Sequence, residues 1–127
     1  HPRGFKISKT TDVLPYIRNV SANKQEQFLC LSLNSANEVL ATRTVTIGLV
    51  DRTYVHPREV FADPITDRAT AVILAHNHPS GDVTPSEDDK EITRVMKTAG
   101  KLMGIQLLDH IIFSHKDHYS ALENGEL

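Results

Sequence analysis

The sequence predicts an α/β fold, in which a mixed β-sheet is covered by helices. Three observations predict it. A hairpin pattern spans residues 26–47, with two strand-like segments flanking a polar turn. Two short continuous apolar runs, TAVILA at residues 70–75 and LLDHIIFS at residues 107–114, have the character of strands buried on both faces. Between them lies the clearest helical periodicity of the chain, with Ile92, Val95, Met96, Ala99, Leu102 and Met103 at three- and four-residue steps. The order helix, hairpin, helix, strand, helix, strand gives an α-β-α sandwich, read as a single domain over residues 1–127.

Each element has its own local reason. Thr10-Thr11-Asp12 offers caps for a short helix reaching about Val20, and Pro15 fixes its start, because proline is tolerated only in a first turn. Residues 26–33, EQFLCLSL, form the first hairpin strand, and Asn34-Ser35-Ala36-Asn37 is turn chemistry. Residues 39–47 alternate, which places Val39, Ala41, Arg43, Val45 and Ile47 on one face. Gly48 interrupts, and a short extended piece ends at Tyr54-Val55. His56 caps a helix that opens with Pro57 in its first turn, and Pro64 kinks or splits that helix. Gly104 ends the main helix, and residues 115–127 hold a turn with a short final strand or helix.

The totals narrow the function. The chain has 127 residues, enough to bury a core without staples. Its formal net charge is −2, which lacks the basic footprint of a nucleic-acid-binding domain. DNA therefore remains an expected partner only through a local patch. Lys90, Arg94, Lys97 and Lys101 share the outer face of the main helix, a pattern that reads first as a solvated face. The single cysteine, Cys30, excludes an intrachain disulfide, suits a reducing cytoplasm and reads as a small core residue. No apolar run approaches the ~20 residues of a membrane span, and no signal peptide is visible. The opening HPRG lacks an initiator Met, so residues 1–4 read as a fragment start or a cloning scar.

The stretch AHNHPSGDVTPSEDD, residues 75–89, carries the chemistry. In an extended chain residues i and i+2 point the same way, so His76 and His78 can aim two imidazoles at one point. Pro79, Ser80 and Gly81 then turn the chain. Thr84 with Glu87, or Ser86 with Asp89, forms a capping box. Side chains in a first helical turn lean back toward the N-terminus, which brings Asp88 or Asp89 toward the histidines; the helical wheel does not separate the two. Two imidazoles and a carboxylate suit Zn²⁺ and leave a fourth position open, the arrangement of catalytic zinc. The competing interpretation is an ordinary strand-to-helix turn with an acidic helix start. A zinc deaminase is disfavoured, since H-x-E with P-C-x-x-C is absent. A second cluster, DHIIFSHKDH, places Asp109 and His110 on opposite strand faces and His115 and His118 in a polar turn, and reads as structural.

The same residues carry a family resemblance. His76-x-His78, seven residues, Ser86, two residues and Asp89 match the JAMM (MPN+) metalloprotease motif. HPREVF at 56–61, HNHPSG at 76–81, TPSEDD at 84–89 and LLDHIIF at 107–113 resemble the RadC family, whose C-terminal domain carries that motif. The resemblance runs from about Phe5 to Gly125. It implies a JAMM/MPN-like fold of cytidine-deaminase-like architecture and one Zn²⁺ per chain held by His76, His78 and Asp89, with Asp89 preferred to Asp88. It also implies an upstream glutamate at a strand start, where Glu26 matches and Glu38 is a rival by residue type alone. The expected chemistry is hydrolysis of a peptide or isopeptide bond in a protein or peptide substrate. Glu26 would act as general base and then general acid, and Ser86 as hydrogen-bond donor to the oxyanion. Longer RadC proteins carry a DNA-binding helix-hairpin-helix segment before this domain, and these residues contain none. The alternative implied by the family is a non-enzymatic or nucleic-acid-associated DNA-repair module in which the metal is structural or serves a nuclease.

Overall fold

The computed structural model describes residues 5–20, 24–48 and 55–127. In chain order these form a 3₁₀ turn (Thr10–Asp12), α1 (Leu14–Ile17), a second 3₁₀ turn (Arg18–Val20), β1 (Gln27–Leu33) and β2 (Val39–Ile47). There follow α2 (Pro57–Thr66), β3 (Ala71–Asn77), α3 (Glu87–Met103), β4 (Gln106–Phe113) and β5 (His118–Ser120). The strands make one mixed sheet in the order β2-β1-β3-β4-β5. β3 and β4 run parallel, joined through α3, and the other neighbouring pairs are antiparallel.

The sheet divides the core in two. Leu29, Leu31, Leu33, Ala71, Ile73, Ala75, Ile111 and Phe113 face α1, whose Ile17 packs among them. Phe28, Cys30, Val72, Leu74 and Leu107 face α2 and α3, where Phe61, Ile92 and Met96 close over them. The alternation of even and odd residues in β1 and β3 is the period-two signature of strands covered on both sides. α3 alone contributes two fully buried side chains, each worth roughly 1.5–3 kcal/mol of transfer free energy.

Several expectations are corrected. The first helix is a single α-turn between two 3₁₀ turns, with Pro15 in its first turn. Pro64 does not split α2, which ends two residues later as Arg68 takes a positive φ of 58°. The β1–β2 pairing carries register shifts at Phe28/Leu29 and Ser32/Leu33. Each extra residue turns the following side chains over, so Val39 faces the α1 side while Val45 packs on the α2–α3 side. The apolar stripe of the main helix is also shifted. α3 buries Asp89, Ile92, Thr93, Met96 and Gly100, whereas Val95, Leu102 and Met103 are exposed. Short and polar residues occupy the inward face, and hydrophobicity alone does not register them. His118 begins β5 instead of lying in the turn before it. Of the extended piece expected to end at Tyr54-Val55, Val55 is described and buried, and the rest lies outside the described residues.

The hairpin turn follows its chemistry. The Asn34 side-chain oxygen accepts from the N–H groups of Ala36 and Glu38, and Asn37 supplies φ 61°. His56 caps α2 by accepting from the Arg58 N–H at 3.0 Å. Among the described residues, no helix is long and apolar enough to cross a membrane.

Candidate metal centre

β3 ends on His76 and Asn77, and the backbone remains extended one residue further because the His78 N–H donates to the Phe113 carbonyl at 2.8 Å. His76 and His78 therefore project to the same side, and their Nε2 atoms stand 3.0 Å apart. Asn77 between them has a different task. Its side-chain oxygen accepts from the Gln27 N–H at 2.6 Å and its amide donates to the Gln25 carbonyl at 3.0 Å. The backbone on both sides of Glu26 is thus clamped to the strand that carries the histidines.

The loop then folds back. Gly81 takes φ +94°, a conformation open to glycine, and lies against the Lys116 and His115 side chains. Asp82 accepts from both the N–H and the hydroxyl of Thr84. Its carbonyl lies 2.8 Å from His78 Nδ1. A carbonyl only accepts, so Nδ1 carries the hydrogen, and in the neutral ring Nε2 presents its lone pair. The register of the following capping box is settled as Ser86 with Asp89. Ser86 Oγ accepts from the Asp89 N–H at 3.0 Å, and the Ser86 N–H donates to Asp89 Oδ2 at 2.8 Å.

That box aims the Asp89 carboxylate. Oδ1 lies 3.1 Å from His76 Nε2 and Oδ2 lies 3.2 Å from His78 Nε2. One atom from each of the three residues falls within a 4.8 Å cluster. Asp89 is buried and Asp88 half-exposed, so the fold selects Asp89 where the wheel does not. Burial alone would raise the Asp89 pKa, but its contacts with the His76 and His78 rings outweigh it and hold the carboxyl well below its ordinary range. The hydrogen bond with Asp89 raises His78 against the opposing effect of burial, and the nearby charge of Glu26 acts in the same upward direction.

These residues fit a cation. The ring nitrogens at 3.0 Å cannot both donate to Asp89 without setting two donors against each other. A positive ion between them removes the conflict. Ligand atoms on a tetrahedral zinc at about 2.0–2.1 Å stand roughly 3.3 Å apart, close to the spacings seen here.

A third histidine stands behind the first. His110 Nε2 is 3.1 Å from His76 Nδ1, and His110 Nδ1 is 2.6 Å from Thr93 Oγ1, whose hydroxyl donates to the Asp89 carbonyl at 2.9 Å. Phe28 stacks on His76 and meets His110 edge-on, forming the wall of the site. Burial, followed by the neighbouring His76, pushes the His110 pKa down to about 3. Asp109 faces the other way and accepts from the Ser120 hydroxyl at 2.6 Å and the Leu122 N–H at 3.0 Å, tying β4 to β5 and the tail.

Of the residues named from the sequence, His76, His78 and Asp89 converge, Ser86 caps the helix that delivers Asp89, and Glu26 borders the site. Glu38 does not; its side chain accepts from Asn34 within the hairpin turn. Asn77 and Thr93 carry no assignment from the sequence, and His110 reads there as structural, with Asp109 or His110 expected to support the sheet or the site through the resemblance of DHII. The signals available were the positions of Asn77 and His110 inside the words HNHPSG and LLDHIIF, and a threonine four residues after Asp89.

A mixed sheet between helices, with two histidines from a strand end and an aspartate from the next helix, defines a JAMM-like α/β domain with a site able to hold a metal ion. The chain belongs to the RadC-like JAB domain family, whose model matches residues 7–126. It is 53% identical over 110 residues to a UPF0758 protein of Methanospirillum hungatei, covering 87% of this chain and 46% of that protein. It is 40% identical over 124 residues to the UPF0758 protein CT0611 of Chlorobaculum tepidum, covering 97% and 56%. A UPF0758 protein of Thermotoga maritima is 38% identical over 122 residues, covering 96% and 55%. The chain spans about half the length of these relatives.

Proposed function

We propose that this domain is a zinc-dependent metallohydrolase of JAMM type that cleaves a peptide or isopeptide bond in a protein or peptide substrate. The observation that carries the reading is the convergence of His76 Nε2, His78 Nε2 and the Asp89 carboxylate at 3.0–3.2 Å from one another. His76, His78 and Asp89 would hold one Zn²⁺. When bound, the ion supplies Lewis acidity and a water whose pKa falls toward about 7.

The remaining work belongs to the chain. Glu26, on backbone clamped by Asn77, accepts the proton of the attacking water and delivers it to the leaving amine. Ser86 donates to the oxyanion of the tetrahedral intermediate. Its capping bond is compatible with this, because Oγ accepts from Asp89 and leaves its hydrogen available, and the residue is exposed to an arriving substrate. Phe28 and the buried His110 keep water from the rear of the His76 ring.

Elemental analysis of wild type and His76→Ala tests the site. About one zinc per chain, lost in the variant, supports the reading; a well-folded wild type that takes up no zinc when offered it refutes it. Glu26→Gln should retain zinc and lose peptide hydrolysis by at least ~100-fold, the usual scale for a general base. Cleavage of duplex DNA in place of peptide by the purified zinc-loaded protein would favour the nuclease alternative.

A further inference from the structure

The two histidines of the cluster are oriented differently. His78 is locked by a backbone carbonyl, whereas His76 faces another imidazole, which can donate or accept. The direction of that contact decides whether His76 Nε2 is a lone pair or an N–H, and so whether it can ligate a metal.

Each link fixes the next. The Asp89 carbonyl only accepts, so Thr93 spends its single hydroxyl hydrogen there. Thr93 Oγ1 then accepts at its 2.6 Å contact with His110, which places a hydrogen on His110 Nδ1. His110 is 2% exposed, and its two ring nitrogens meet Thr93 Oγ1 and His76 Nδ1. With its Nδ1 hydrogen held by Thr93 and its Nε2 facing the His76 ring, the neutral His110 imidazole presents the Nε2 lone pair as an acceptor. His76 Nδ1 must therefore donate across the 3.1 Å contact.

We infer that Thr93 and His110 are positioning residues that fix the hydrogen of His76 on Nδ1, holding Nε2 free for the metal. The inference rests on the zinc reading for its purpose but not for its geometry. The chain begins at the main-chain carbonyl of Asp89, so the residue that supplies the carboxylate through its side chain also sets, through its backbone, the tautomer of the opposing histidine. Both histidines of the cluster are thus referred to main-chain carbonyls, His78 to Asp82 directly and His76 to Asp89 through two side chains.

Thr93→Val is the decisive variant, since it preserves shape and deletes the hydroxyl. His110 Nδ1 then loses its acceptor, and the ring is free to place its hydrogen on Nε2 and donate to His76. Imidazole ¹⁵N spectra of the metal-free protein should show hydrogen on His76 Nδ1 in wild type and Thr93→Ser, and a shift toward Nε2 in Thr93→Val. Zinc affinity, read by competition with a chromogenic chelator, should fall 10–100-fold in Thr93→Val and stay within a few-fold of wild type in Thr93→Ser. Hydrogen on His76 Nε2 in wild type, or a folded Thr93→Val with unchanged spectra and affinity, would overturn the inference. So would Thr93→Ser losing as much as Thr93→Val, which marks a packing role. If wild type binds no zinc, the metalloenzyme reading fails, and the ¹⁵N spectra alone decide the tautomer.

Discussion

Cys30 shows how burial removes reactivity from a residue that sequence alone leaves ambiguous. It lies on β1 under α2, 3% exposed, and burial raises its thiol to about 12, with Arg43 lowering it slightly and Asp67 and Asp63 opposing Arg43. Arg43 is already engaged by a two-bond contact with Asp67, which limits what it can do for a thiolate. The nucleophile is the thiolate, so the native thiol should resist disulfide reagents at pH 8 and react at the rate of global unfolding. Stopped-flow labelling in native buffer and in denaturant checks this; rapid native labelling would contradict it. The linkage has a definite sign. Above the ordinary thiol value of 9.0 the unfolded chain releases the proton while the folded chain retains it until about 12. Stability should therefore fall as pH rises through that window, by up to about 1.4 kcal/mol per pH unit. A Cys30→Ala variant should lose that part of the alkaline slope while paying a cavity cost at neutral pH.

At the scale of elements, α3 is the lever that brings Asp89 to the histidines, and its far end is fixed by two glycines of opposite character. Gly104 ends the helix at φ 72° with open space around its missing Cβ, and Ile105 N–H reaches back to the Gly100 carbonyl at 2.9 Å. A Cβ on Gly100 would stand 2.2 Å from the Ile105 carbonyl oxygen and 3.3 Å from the Phe61 ring. Ordinary helix propensity favours Ala over Gly by about 1 kcal/mol, but a backbone clash of this kind costs more, so the sign reverses. Gly100→Ala should destabilise by roughly 1–3 kcal/mol, and Gly104→Ala by about 1 kcal/mol through its left-handed φ alone. Denaturant melts of the two variants check the order. Gly100 also explains one limit of the sequence reading: the inward stripe of α3 includes Asp89, Thr93 and Gly100, none of which a search for apolar periodicity selects. β4 supplies the other limit. Its pairing with β3 shifts between Val72/Ile73 and Leu107/Asp109, so Leu108 is an extra residue. Without that bulge Asp109 would face α3 and His110 would face α1; with it His110 backs His76 and Asp109 reaches Ser120. That the two residues point to opposite faces was legible in the alternation. Which one faced the site was not, because a bulge is a pairing event between distant segments. The His-x-His strand end and the Ser86–Asp89 cap were legible because both are local.

For the whole molecule, the cluster is a cross-brace. His76 and His78 come from β3 and its extension, Asp89 from the helix that returns over the sheet, and His110 from the next strand, so an ion at the cluster would tie the central sheet to α3. An ion that binds the folded chain and not the unfolded one stabilises by about 2.7 kcal/mol at a free concentration one hundred times its Kd. A chain of this size gains roughly 3–5 °C in Tm per kcal/mol. Zinc at that excess should therefore raise Tm by about 10 °C, and a chelator should reverse the rise. His78→Ala should melt with no zinc response, since two remaining side chains leave the ion weakly held. Asp89→Asn should also lose the response, and in the metal-free state it removes the carboxylate that His76 and His78 both meet, so its melting point should fall as well. Glu26→Gln discriminates between roles at this scale. As the proton carrier it makes no contribution to holding the ion, so the full zinc-dependent rise should persist in a variant that has lost hydrolysis. A rise present in wild type and absent in Glu26→Gln would move Glu26 into the ligand set and leave the proton transfer without a carrier.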